Sequence, residues 1–67
     1  MKNKLKIQRA IHNLTQANLA EKIGVTRQSI NAIEKGKYVP STVLALKIAK
    51  LFNESVEAIF ELEASDL

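Results

Sequence analysis

Residues 14–37 read LTQANLAEKIGVTRQSINAIEKGK, and one arrangement occurs in them twice. Leu14 precedes Thr15, and Leu19 follows four positions after that threonine; Val25 precedes Thr26, and Ile30 follows four positions after it. A threonine so placed accepts a backbone hydrogen bond at a helix start, and the flanking apolar residues close over it. The spacing predicts two short helices, 16–23 and 27–34. Ala17, Ala20 and Ile23 extend the buried side of the first, and Ile30 and Ile33 form that of the second. Gly24 stops the first helix, and a tight Gly24-Val25 turn joins the two, with the small Ala20 near the joint letting the axes approach. Two helices joined in this way form a helix-turn-helix.

Working outward, KLKIQRAIH (4–12) predicts a first helix with two incomplete stripes, Leu5-Gln8-Arg9-His12 and Ile7-Ile11. Both sides are expected to be used, one for the core and one partly covered by the chain ends. Asn13 fits a left-handed stop. Downstream, KGKYVP (35–40) is a loop: Gly36 supplies backbone freedom and Pro40 blocks helix continuation. Ser41 caps a fourth helix, 42–52, in which Val43, Leu44, Leu46, Ile48, Ala49 and Phe52 are expected to be buried over much of the surface. Asn53 ends it. Ser55 caps a fifth helix, 56–60, leaving a tail at 61–67; residues 59–62 (IFEL) could instead be an extended piece at a dimer contact. The fold class is all-α, a five-helix bundle in one domain, 1–67.

A chain of 67 residues lies near the lower limit for an unaided core, and with no cysteine no disulfide supports it. Helices close a small core with short connections, and dimerisation is the other usual source of stability. The single histidine builds no metal cluster, and His12 has no nucleophile or carboxylate beside it in the sequence, so neither an enzyme nor a metal or other cofactor is expected. Apolar runs of four residues at most and the absence of a secretory signal predict a cytoplasmic protein without a membrane span. Charge is unevenly placed. Residues 1–53 hold all ten Lys and Arg against Glu21 and Glu34, a balance of +8, while residues 54–67 hold five acids and no base. A basic body with an acidic tail points to a polyanion-binding face on the body.

The helix at 27–34 is where that face should read. With Ile30 and Ile33 inward, Arg27, Gln28 and Asn31 point outward, with Ala32 and Lys35 more to the side. Arg pairs with guanine O6 and N7, and Gln or Asn with adenine N6 and N7, at about 1–3 kcal/mol of discrimination per good contact. Ser29 can reach a base edge or a phosphate, or only close its own helix end. No acid precedes Glu34 on this helix, so phosphate repulsion is avoided. Gln16 at one helix start, Ser41 and Thr42 at another, and Lys35, Lys37 and Tyr38 after the reading helix are candidate phosphate contacts. Arg9 and Glu34 are expected to pair at the back of the reading helix, which removes the one nearby acid from the DNA.

The chain from about Leu5 to Phe60 resembles the phage repressor and Cro family, XRE-like helix-turn-helix domains in their small stand-alone form. The resemblance rests on Arg9, on residues 14–37, on the Pro-Ser pair at 40–41, and on LALKIAKLF (44–52) and SVEAIF (55–60). Thr-Gln, Leu-Ala, Gly-Val-Thr and Ile-x-x-Ile-Glu-x-Gly in that order are specific as a set. The resemblance implies a phosphate grip at Gln16, an Arg9–Glu34 pair, base reading by Arg27, Gln28 and Ser29 with Asn31 one turn on, a methyl contact from Ala32, and backbone contacts from Lys35, Lys37 and Tyr38. Three positions depart from it: Gln8 replaces a usual Leu or Ile, Asn13 a common Gly, and Ala17 a common Glu.

One short reading helix makes few specific contacts, so a symmetric homodimer on two-fold half-sites about 34 Å apart is expected. Val56, Ile59, Phe60 and Leu62 are its candidate contacts; closure of the monomer core is their alternative role. The expected function is a sequence-specific double-stranded DNA-binding regulator, most simply a repressor blocking a promoter, with no small-molecule ligand. The alternative is an antitoxin or adaptor module whose main task is binding a partner protein.

Overall fold

A computed structural model describes residues 1–67. In chain order the elements are β1 (Lys2–Asn3), α1 (Leu5–Ile11), α2 (Gln16–Ile23), α3 (Arg27–Glu34), α4 (Thr42–Phe52), α5 (Val56–Ile59) and β2 (Phe60–Glu61), with a 3-10 turn at Ala64–Asp66. Each of the last four helices starts on a hydroxyl side chain. Thr15, Thr26, Ser41 and Ser55 accept from the N–H of Asn18, Ser29, Leu44 and Ala58 respectively. At α2 the cap is reciprocal: Asn18 Oδ1 accepts from the Thr15 N–H at 3.3 Å. An amide at the third helical position thus supplies the return bond of a capping box. Helix ends are equally local. Gly24, Asn13 and Asn53 all have positive φ, the left-handed stops expected after α2, α1 and α4.

One core of twelve side chains joins the elements: Leu5 from α1, Leu19, Ala20 and Ile23 from α2, Ile30 and Ile33 from α3, four residues of α4, then Ile59 and Phe60. Loss of any large member would leave a cavity at a cost of about 2–5 kcal/mol, much of the stability of so small a domain. No helix is long and apolar enough to cross a membrane.

The sequence reading needs four corrections. Ala17 is exposed, because α2 buries only Leu19, Ala20 and Ile23. On α4 the buried set is Leu44, Ile48, Ala49 and Phe52; Val43 and Leu46 face outward. An apolar helix shows its composition in the sequence, not which of two apolar faces meets the core. On α1 the Leu5 stripe is the inner one, with Gln8 and Arg9 half-buried and the His12 ring 5.0 Å from that of Phe52, while Ile7 and Ile11 stay exposed. The chain ends do not cover those isoleucines. They pair with each other instead: β1 and β2 run antiparallel, Lys2 opposite Glu61 and Asn3 opposite Phe60.

That small sheet is the fourth correction. The extended piece within IFEL exists, but its partner is residues 2–3 of the same chain, and α5 ends at Ile59. Ile59 and Phe60 are 1% and 7% exposed, so both close the monomer core, and Phe60 keeps an edge on a surface groove. The sheet also reaches α3. Asn3 Nδ2 donates to the Ile33 carbonyl at 2.8 Å, while Asn3 Oδ1 accepts from the Leu5 N–H at 3.2 Å. One side chain therefore starts α1 and satisfies an end carbonyl of α3.

Candidate nucleic-acid interface

The orientation of α3 follows from its two isoleucines. Ile30 and Ile33 are fully buried, which turns Arg27 and Gln28 to solvent and leaves Asn31 and Ala32 half-buried. Arg27, Gln28 and Asn31 line one shallow depression together with Gln16 of α2, and no apolar residue enters it. Four of the candidate contact residues thus form one polar edge. Ser29 is oriented differently: its hydroxyl lies 3.0 Å from Thr26 Oγ1, and its N–H donates to that same oxygen at 3.1 Å. Closing the helix start is the interaction that Ser29 makes here.

Behind the polar edge lies the ion pair. Arg9 holds Glu34 with two parallel bonds, Nε to Oε2 at 2.5 Å and Nη2 to Oε1 at 2.9 Å, and its third donor, Nη1, reaches the Leu14 carbonyl at 3.0 Å. This fork geometry is what a guanidinium offers a carboxylate. The side chains are 14% and 7% exposed, so the acid closest to the reading edge is turned inward and neutralised. Burial pushes the Glu34 carboxyl upward, but hydrogen bonds from Arg9 and Gln16 and the Arg9 and Lys6 charges outweigh it, and it titrates below the usual carboxylate range. Gln16 is drawn into the same network. Its Nε2 donates to Glu34 Oε1 and to Asn31 Oδ1, both at 3.2 Å. The side-chain donor that sequence reading aims at a phosphate is turned inward; the backbone N–H groups that open α2 have no acceptor within the helix.

The remaining backbone-contact candidates fall into two groups. Lys35 and Lys37 are exposed on the loop that Gly36 reverses at φ 73°. Tyr38 and Ser41 flank a depression beside Gly24 and Val25, at the turn between α2 and α3. Ser41 Oγ accepts from the Leu44 N–H at 3.2 Å, which leaves its own hydrogen to donate outward, and Thr42 beside it is exposed. Lys47 shares that depression, and sequence reading missed it: a single lysine in a helix carries no signal until the fold sets it beside the turn. The acidic tail is held elsewhere. The terminal ammonium of Met1 pairs with Glu63 at 3.0 Å and Asp66 at 3.1 Å. Hydrogen bonds that the ammonium donates to Glu63 and Asp66 raise its affinity for its proton; the Glu63 backbone N–H, then the ammonium, lower the Asp66 carboxyl. No group of three or more His, Cys, Asp or Glu is arranged to hold a metal.

Comparison with known proteins agrees with this geometry. A family model described as helix-turn-helix matches residues 5–59. An HTH-type transcriptional regulator of Methanocaldococcus jannaschii is 67% identical over 60 residues, covering 90% of this chain and 91% of the relative. YgzD, an HTH-type transcriptional regulator of Bacillus subtilis, is 56% identical over 63 residues, 94% and 96% of the two chains. An HTH-type transcriptional regulator of Archaeoglobus fulgidus is 46% identical over 67 residues, 100% of this chain and 94% of the relative.

Proposed function

From the premise that this chain belongs to the helix-turn-helix family of DNA-binding transcriptional regulators, as a small XRE-like member, we propose that it is a dimeric repressor that occupies a two-fold operator and blocks a promoter. The observation that supports this most is the polar edge of Gln16, Arg27, Gln28 and Asn31, free of acids because Arg9 neutralises Glu34. In this reading the N-terminal turn of α3 enters the major groove. Arg27, Gln28 and Asn31 contact base edges, with Ser29 beside them at the helix start. The N–H groups at the start of α2, Gln16 first, hold one phosphate. Lys35, Lys37, Tyr38, Ser41 and Thr42 grip the backbone on the other side, and Lys47 adds a charge there.

A second copy needs more surface than the nearly buried Ile59 and Phe60 offer by themselves. Val39 and Leu46, 59% and 56% exposed, line a mostly apolar groove with Met1, Pro40, Ala45, the half-buried Val56 and an edge of Phe60, and Thr42 lies at its polar end. We place the dimer contact on this groove, with the exposed Leu62 at its margin as a lesser contributor. A chain measuring 32 × 23 × 20 Å can set two reading helices about one DNA turn apart when two copies lie side by side. The antitoxin or adaptor reading keeps one observation in its favour, the exposed Ile7 and Ile11 on α1, which the proposed dimer does not cover. Selection of bound duplexes from a random pool tests the main reading. A motif with two inverted half-sites about 10 base pairs apart is expected; enrichment of no sequence would overturn it.

A further inference from the structure

The hydrogen bonds behind the reading edge have a fixed direction, and that direction reaches the DNA-facing side. Arg9 is permanently protonated and holds Glu34 by both oxygens. Glu34 is therefore a carboxylate, which can only accept. The Gln16 side chain must then turn its nitrogen, not its oxygen, toward Glu34 Oε1, as it does at 3.2 Å. The second hydrogen of that nitrogen meets Asn31, whose Oδ1 accepts at 3.2 Å. Reversing the Gln16 amide would set its carbonyl oxygen against the carboxylate. Reversing Asn31 would set two NH2 groups against each other.

We infer that Asn31 meets DNA chiefly as a hydrogen-bond donor, its NH2 group foremost, with Gln16 as the positioning residue that holds it so and Glu34 as the origin of the polarity. The inference rests on the reading of α3 as the DNA-reading helix. It also revises what Asn31 selects. A free asparagine pairs with adenine by offering N7 a donor and N6 an acceptor. Asn31 has one of the two acceptor positions of Oδ1 taken by Gln16, while its NH2 has no partner in the chain. The base edge that suits it best is guanine, with two acceptors, O6 and N7; adenine N7 and thymine O4 offer one each. Cytosine, which presents only its N4 donor, is disfavoured, and the two-bond pairing with adenine is weakened because Oδ1 is already turned to Gln16. Sequence spacing could not show this, because Gln16 and Asn31 are fifteen positions apart and the residue that orients them, Glu34, points away from the DNA.

The test is selection from a random duplex pool by the full chain and three variants, with thermal melts to confirm that each is folded. Asn31→Asp keeps shape and the bond from Gln16 but presents an acceptor. The motif column that it changes identifies the base pair facing Asn31. In the wild type that column is expected to hold a G·C pair, read from guanine, at least about fivefold over A·T; Asn31→Asp should invert the pair, so that cytosine takes guanine's strand. Gln16→Met removes the restraint at similar size, and adenine should rise in the same column by about fivefold or more; Gln16→Ala serves the same purpose if the methionine variant does not fold. An A·T pair in either orientation in the wild-type column, no column changed by Asn31→Asp, or an unchanged column in the Gln16 variants would each overturn the inference while leaving DNA reading intact. Enrichment of no sequence by the wild type would instead overturn the reading of α3, and this inference with it.

Discussion

Single side chains divide between those proposed to read DNA and those that hold the fold. Arg27 and Gln28 are exposed and make no hydrogen bond to the rest of the chain through their side chains, so removing them should not disturb the fold. Arg27→Ala or Gln28→Ala is expected to weaken binding to the selected operator by about 1–3 kcal/mol and to relax preference at one base pair, with an unchanged melting temperature. Lys35→Ala should instead weaken binding to all duplexes alike and reduce the slope of log affinity against log salt by about one. Titrations at several salt concentrations separate the two outcomes. Arg9 and Glu34 belong to the holding class. Arg9→Met leaves a buried carboxylate unpaired, at a cost of about 3–5 kcal/mol, against a total near 3–10 kcal/mol expected for a chain of 67 residues. The variant should be largely unfolded at 37 °C, while Arg9→Met with Glu34→Leu should recover much of the loss. The pH dependence has a definite sign. Glu34 titrates lower in the folded chain than in the unfolded one, so its contribution is complete above the ordinary glutamate value of about 4.3 and disappears as pH falls through the lower folded value. Melts from pH 7 to pH 2 should show the wild type losing stability below about pH 4 more steeply than the double variant.

At the scale of elements, the helices are anchored by devices that each occupy one residue at a fixed offset, and that is why they were legible. Thr15, Thr26, Ser41 and Ser55 are readable as starts because the cap and its N–H partner lie three positions apart. Asn13, Gly24 and Asn53 are readable as stops because few residues accept a left-handed backbone. Asn53 joins α4 to α5 at φ 55°, away from the reading edge. Asn53→Ala should cost about 1–2 kcal/mol and lower the melting temperature by about 4–8 °C per kcal/mol. Asn53→Gly should not, and neither should alter operator affinity; equal melting of the alanine and glycine variants would show that the stop is not strained. Of the two strands, the extended piece within 59–62 was legible as an alternative to helix, but its partner at residues 2–3 was not. Two residues give no periodicity, and Lys2 and Asn3 meet Phe60 and Glu61 only once the whole core has closed. The exposed faces of α2 and α4 escaped for a related reason: Ala17, Val43 and Leu46 satisfy an apolar pattern without touching the core.

For the whole molecule, the direction of single candidate-site side chains was legible but their connections were not. The outward direction of Arg27 and Gln28 follows from helix period. The inward turn of Gln16 requires α1, α2 and α3 to be packed, since its two acceptors come from fifteen and eighteen positions further on. Ile59 and Phe60 are apolar enough for an interface yet close a small core, which their composition alone does not reveal. The proposed contact for a second copy is the groove that includes Val39, Pro40, Ala45, Leu46 and Val56. In a two-fold dimer each groove meets its own copy, so one substitution enters the contact twice. Leu46→Glu would place two carboxylates across that contact, while in the monomer Leu46 is already exposed and its replacement leaves the core intact. Sedimentation equilibrium of this variant should show a single chain with wild-type helicity. Its affinity for a duplex with both half-sites should fall by about 10²–10⁴, the gain that linking two sites provides, whereas affinity for an isolated half-site should stay the same. A Leu46→Glu protein that remains dimeric would move the contact off this groove; one that is monomeric yet binds the full operator as tightly as the wild type would remove dimerisation from the mechanism.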